Sequence, residues 1–150
     1  MRVVIGSDHA GFDLKEALLA WLHGAGHEVI DVGTDTDASC DYPVFGAAVG
    51  RAVAAGVADR GVAVCGSGLG ICMAANKIPG VRAAVLRTVE DGEMSRRHND
   101  ANVACFGARV TTVIEAERSL SAFLETDFDG GRHERRVDLL AELDAEDRPG

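Results

Sequence analysis

Apolar and polar positions along this chain follow two alternating periods. Val3-Val4-Ile5 forms a short apolar run that closes in the small residues Gly6 and Ser7, so Arg2–Ser7 is predicted as a buried strand. Leu14, Leu18, Trp21, Leu22 and Ala25 then fall at i, i+4, i+7, i+8 and i+11. That single stripe predicts an amphipathic helix over Phe12–Gly24, stopped by Gly24 and Gly26. The alternation repeats. Further strands are predicted at 28–33, 61–65, 82–86 and 103–106. Helices are predicted from Pro43 to near Gly56, after residue 65 to about Lys77, and over 89–98 and 113–124. A final helix is predicted over about 133–147, with Val137, Leu140 and Leu143 on one side and residues 144–150 reading as a frayed end.

Five short strands separated by helices imply a parallel sheet covered on both faces. The expected fold is a single α/β domain over 1–150, a three-layer αβα sandwich of Rossmann-like type with right-handed crossovers. Ligands of such folds bind outside the carboxyl ends of the strands.

Composition narrows the function. The chain is 47% hydrophobic and 26% charged, enough for a core and a water-facing surface. No apolar run approaches the roughly 20 residues of a membrane span, and the apolar start is too short for a signal peptide, so a cytoplasmic location is expected. A net charge of −9 opposes a general nucleic-acid surface. Cys40, Cys65, Cys72 and Cys105 form no C-x-x-C pair, which disfavours a zinc ribbon or a redox dithiol. The basic residues nonetheless clump, at Arg96-Arg97-His98 and at Arg132-His133-Glu134-Arg135-Arg136. Each clump reads either as a pocket for a small anion or as a solvated helix face.

The candidate chemistry lies in the turns. Gly6-Ser7-Asp8-His9-Ala10-Gly11 is not G-x-G-x-x-G; it sets a carboxylate beside an imidazole, or an N-cap beside an incidental histidine. Cys65-Gly66-Ser67-Gly68-Leu69-Gly70 lets backbone amides crowd around an anion at a helix start, and lacks the Walker lysine. Cys65 beside that positive field reads as an activated thiol, or as a packed cysteine in a tight turn. Ser95-Arg96-Arg97-His98-Asn99-Asp100-Ala101-Asn102 reads as a proton-carrying, hydroxyl-binding loop, or as a helix end with Asn99 in a left-handed turn. Arg109 follows the fifth strand, and Arg132 and Arg136 lie four apart on one helix face, spaced to clamp a phosphate. All but this last cluster are expected at the carboxyl edge of the sheet.

Taken together, GSDHAGF-LK, GT-DYP, CGSGLGI-AANK, G-RAA, SRRHNDANV followed by FGAR, and F-GGRHERRV resemble the ribose-5-phosphate isomerase B and galactose-6-phosphate isomerase family, over Gly6 to Val137. The resemblance implies an aldose–ketose isomerase that interconverts ribose 5-phosphate and ribulose 5-phosphate through a cis-enediolate. It implies no metal and no organic cofactor, and a homodimer or dimer of dimers whose sites are built by two subunits, the C-terminal helix packing on the partner. Cys65 matches the proton-abstracting base and His98 the ring-opening residue. Asp8, His9, Tyr42, Asn99 and His133 match substrate-binding positions. Gly66, Ser67, Gly68, Leu69 and Gly70 match the loop that stabilises the anionic intermediate, and Arg109, Arg132 and Arg136 match phosphate ligands. The alternatives are the same chemistry on allose 6-phosphate, galactose 6-phosphate or erythrulose 4-phosphate, and a non-catalytic metabolite-binding module.

Overall fold

The computed structural model describes residues 1–146. The elements are β1 (Arg2–Ser7), α1 (Phe12–Gly24), β2 (Glu28–Asp31), α2 (Tyr42–Ala54), β3 (Arg60–Cys65), α3 (Leu69–Asn76), β4 (Ala83–Val85), α4 (Val89–Asn99), β5 (Val103–Gly107), α5 (Val113–Glu125) and α6 (Arg132–Glu146). All five strands pair in parallel, in the order β2-β1-β3-β5-β4.

This order places the helices. Right-handed crossovers that run in opposite directions along a sheet must cover opposite faces. The steps β2 to β3 and β3 to β4 run one way, so α2 and α3 share a face. The steps β1 to β2 and β4 to β5 run the other way, so α1 and α4 share the second face, where α5 joins them. The core divides accordingly. Val3, Ile5, Val62, Val64, Ala104 and Phe106 pack with Leu14, Leu18, Leu120 and Phe123 on one side. Val4, Ala63, Cys65, Val103 and Cys105 pack with Val49, Ile71, Cys72 and Ala75 on the other. Fully burying each large apolar side chain contributes about 1.5–3 kcal/mol.

The boundaries differ from expectation where side chains or loops replace the sheet ladder. β2 stops at Asp31 because Gly33 turns away at φ +100 and its carbonyl accepts the Ser7 N–H at 2.6 Å. β4 is only three residues long because the Arg82 N–H goes to the Asn102 side chain at 2.8 Å. Residues 144–146, expected to fray, are helical, and Asp144 accepts the Gly80 N–H at 2.7 Å. The remainder of the expected frayed end lies outside the described residues. α6 buries none of its side chains and leaves Leu139, Leu140 and Leu143 about half exposed. Among the described residues no helix is long and apolar enough to cross a membrane.

Candidate active site

β1, β3 and β5 are neighbours, but the chain leaves β3 toward the α2/α3 face and leaves β1 and β5 toward the other. Connections that part in this way open a crevice at the carboxyl ends of the strands. Cys65, the last residue of β3, stands in the middle of it.

Strand alternation turns Cys65 toward the α2/α3 face, directly below the start of α3. The turn between them is tight. Gly68 sits at φ +79, ψ −13, and its N–H donates to Cys65 Sγ at 3.2 Å. A Cβ at residue 68 would lie 3.0 Å from the Gly107 nitrogen, so both the backbone angle and the close approach require glycine. The end of β5 is stitched to the same turn: the Ala108 N–H donates to Cys65 O at 2.8 Å, and the Arg109 N–H to Gly66 O at 3.0 Å. This lays the Arg109 guanidinium across Gly66, where a Cβ would come within 2.8 Å of Nη1. The Tyr42 ring covers Gly70 in the same manner.

β1 supplies the opposite wall. The Asp8 N–H donates to Val64 O at 3.2 Å, and Asp8 Oδ1 accepts the Gly11 N–H at 3.0 Å, closing the turn into α1. The His9 Nδ1 sits 3.2 Å from the amide nitrogen and 3.1 Å from the carbonyl oxygen of Cys40. Behind this wall Lys15 is fully buried. Burial lowers its pKa, but hydrogen bonds to Asp31 and Glu16 more than offset that and raise it above the usual lysine value. Asp31 in turn accepts the Gly33 N–H at 2.9 Å, steadying the turn whose Gly33 carbonyl accepts the Ser7 N–H.

The result is a cleft of about 240 Å³ lined by Asp8, His9, Ala10, Tyr42, Cys65, Gly66, Ser67, Gly70 and Arg109. Eight of these nine residues were expected from the sequence; Ala10, flanked by motif residues but without polar chemistry, was not. Of the expected loop, Gly68 lies beneath the lining and Leu69 points its side chain outward, 46% exposed.

A second group of expected residues lies elsewhere. The loop at 95–102 was expected at the carboxyl edge, and the structure corrects this. In a β–α–β unit the helix runs back along the sheet, so its last turn arrives at the amino end of the next strand. The Asn102 carbonyl accepts the Gly61 N–H at 2.9 Å, at the start of β3 rather than its end. His98 and Asn99 therefore do not line the Cys65 cleft of their own chain. Helix α4 also runs through Asn99, and Asp100, not Asn99, takes the left-handed conformation at φ 46, held by Arg82 and Arg96. Asn99 instead lines a larger cavity of about 400 Å³ between β4 and α6, whose walls are chiefly Val81, Ala83, Ala84, Ala101, Leu140 and Leu143. That cavity holds neither a thiol nor a histidine.

The His98 ring stacks on His133, with centroids 4.2 Å apart and planes 11° apart. Potential ligand atoms of His98, Asp129 and His133 lie within 4.8 Å of one another. Arg97 pairs with Asp129 at 3.2 Å, and Arg132 and Arg136 open α6 beside the stack. Burial, then the nearby His98, Arg132 and Arg136, push His133 below the usual imidazole value. The guanidinium groups of Arg132 and Arg136, which open α6 beside the stack, suit an anion there.

The remaining thiols separate by environment. Hydrogen bonding to Cys72 and complete burial push Cys105 well above the usual thiol range. Of the cysteines, only Cys65 lines this cleft.

Comparison with known proteins identifies the family. The family model described as Ribose/Galactose Isomerase matches residues 3–140. Ribose-5-phosphate isomerase B of Escherichia coli is 41% identical over 143 residues, 95% of this chain and 96% of that protein. The structure of Clostridium thermocellum ribose-5-phosphate isomerase B superposes with a TM-score of 0.96 at 46% identity, covering 97% of this chain and 99% of the other. That of the Mycoplasma genitalium enzyme, solved with bound ribulose-5-phosphate, superposes at 0.92 and 37% identity, covering 97% of each chain. A full-length match of sequence and fold, with the thiol and glycine-rich turn brought to one crevice, places this chain in the ribose/galactose isomerase family.

Proposed function

We propose that this chain is an aldose–ketose isomerase that interconverts D-ribose 5-phosphate and D-ribulose 5-phosphate through a cis-enediolate. The observation that carries the reading is the meeting, in one cleft, of the Cys65 sulfur, the glycine-rich turn at 66–70, Asp8, His9 and the Arg109 guanidinium. Among the described residues Arg109 has no carboxylate partner. The ribulose-5-phosphate bound to the Mycoplasma genitalium relative supports the choice of sugar.

In this reading Cys65, as thiolate, removes the C2 proton of the open-chain aldose. Charge develops on oxygen, and the amides of the 66–70 turn stabilise it; one such preorganised donor is worth about 10²–10³ in rate. Return of the proton to C1 gives the ketose. Asp8 and His9 hold hydroxyl groups, Tyr42 walls the cleft over Gly70, and Arg109 faces the phosphate.

Each site draws on two chains. His98, which opens the sugar ring, Asn99 and the phosphate ligands Arg132, His133 and Arg136 come from a second copy. Their place at the edge of the sheet opposite Cys65 supports this, as do the exposed Leu69 and Met73 on α3 and Leu139, Leu140 and Leu143 on α6. A homodimer, α6 reaching across to the partner, completes the phosphate pocket.

The test is a coupled assay of the purified protein with ribose 5-phosphate, allose 6-phosphate, galactose 6-phosphate and erythrulose 4-phosphate. Ribose 5-phosphate is expected to turn over fastest, and Cys65→Ala to lower kcat about 10³-fold or more while KM stays within about threefold. Near-normal turnover of Cys65→Ala removes the base from its role. Failure of the unmodified protein on every sugar phosphate overturns the function.

A further inference from the structure

Cys65 accounts for only half of the protons. Turning an aldose into a ketose moves one hydrogen from C2 to C1, and also requires O1 to gain a proton and O2 to lose one. A single thiol serving the carbons cannot also serve the oxygens. We propose that His9 is a catalytic residue that carries the proton between O1 and O2, oriented for that task by the backbone of Cys40. This rests on the isomerase reading above and adds a second acid/base group to it.

Three observations support the assignment. His9 lines the same cleft as Cys65 and is only partly buried. Its Nδ1 meets both backbone groups of Cys40, the carbonyl at 3.1 Å and the amide nitrogen at 3.2 Å. Nδ1 therefore has a partner whether or not it carries hydrogen, a donor site in one state and an acceptor site in the other, and the ring keeps its orientation through a protonation cycle. Nε2 has no hydrogen-bond partner among the described residues, which leaves it for the substrate. By contrast Asp8 Oδ1 accepts the Gly11 N–H and Ser67 Oγ accepts the Leu69 N–H, each within its own turn.

The step balances without any co-reactant. The cycle starts with a Cys65 thiolate and a His9 imidazolium, whose Nδ1–H donates to the Cys40 carbonyl. The thiolate takes the C2 proton; the C2–H electron pair becomes the C1–C2 double bond, and the carbonyl pair moves to O1, giving the cis-enediolate, whose O1 then receives the Nε2 proton. This leaves a neutral enediol, a Cys65 thiol and a neutral His9 still donating through Nδ1. Nε2 then accepts the O2 proton as C2=O forms, and the thiol returns its proton to C1. Thiolate and imidazolium are restored. The 66–70 amides carry the fractional charge on oxygen while each proton is in flight.

Hydrogen exchange tests this directly. Ribulose 5-phosphate has its O5 esterified and cannot close a furanose ring, so deuterium uptake at its C1 in D₂O reports the enediol step without ring opening. The full-length protein is expected to exchange C1 rapidly. His9→Gln and His9→Asn are expected to slow exchange about 10²-fold or more, well beyond their loss of affinity for a phosphorylated hydroxamate, a mimic of the enediolate. Exchange within about threefold of the unmodified protein in either folded variant overturns the role of His9. A second measurement needs no variant. In ¹⁵N-histidine spectra of the protein with the hydroxamate, Nδ1 of His9 is expected to carry a hydrogen; an unprotonated Nδ1 overturns the proposal. Failure of the unmodified protein to interconvert ribulose 5-phosphate and ribose 5-phosphate instead overturns the isomerase reading itself.

Discussion

At the scale of single residues the glycines of the 66–70 turn separate folding from function. A methyl group at Gly66 would meet the end of the Arg109 side chain, Nη1 at 2.8 Å and Cζ at 3.1 Å, and a flexible side chain yields. One at Gly68 would meet the backbone of Phe106 and Gly107 from a left-handed conformation, and backbone does not yield. Gly66→Ala is therefore expected to keep its melting temperature but raise KM for a phosphorylated sugar about tenfold, the loss of one charge-assisted phosphate contact. Gly68→Ala is expected to lower stability by about 1–3 kcal/mol and to retract the amide aimed at Cys65. Thermal melts beside steady-state kinetics separate the two; a Gly66→Ala protein with unchanged KM would show that Arg109 makes no such contact. The sequence disclosed these residues because a cysteine followed by three glycines in five positions is rare chemistry in a short span. It did not disclose Cys40. That residue acts on His9 through its main chain, from 31 positions away, and no side-chain pattern records such a contact.

At the scale of elements, every predicted strand and helix exists, although β4 is only three residues long and α6 forms without burying a side chain. The ends were less legible. They are fixed by side chains that imitate backbone, and hydrophobic periodicity is blind to these. Thr88 and Thr112 start α4 and α5 through capping boxes with Asp91 and Glu115. Asn76 closes the exposed edge of the sheet: its Oδ1 accepts the Ala83 N–H at 2.8 Å and its Nδ2 donates to the Ala83 carbonyl at 3.0 Å, the two bonds a further strand would make. The same residue ends α3, the helix that begins in the glycine-rich turn, so it ties that helix to β4. Asn76→Ala is expected to cost about 1–2 kcal/mol in denaturant unfolding and to increase amide exchange at Ala83 above its neighbours. Uniform exchange along β4 would show that the edge is held by α6 instead.

At the scale of the whole molecule, the candidate residues fall into two half-sites on opposite edges of one sheet. Their membership was expected from the sequence, and this division was not. The predicted order of α4 before β5 already implies the division, because a crossover helix runs back along the sheet and delivers its last turn to the amino end of the next strand; nearness to β5 along the chain hid this. The division makes a statement about assembly. A cleft with a thiol, an amide cradle and Arg109 lacks His98, while the His98–His133 stack has its arginines but no thiol. Two copies related by a twofold axis can present each half to the other, giving two complete sites per dimer. Subunits carrying Cys65→Ala have then lost one half-site, and subunits carrying His98→Asn the other. Each variant alone is expected to be nearly inactive in converting ribose 5-phosphate. When equal amounts are unfolded and refolded together, half of the dimers are mixed, and each mixed dimer holds one site with both defects and one with neither. Activity is expected to return to about one quarter of the unmodified level. If both halves served the same chain, every site would keep a defect and mixing would restore nothing.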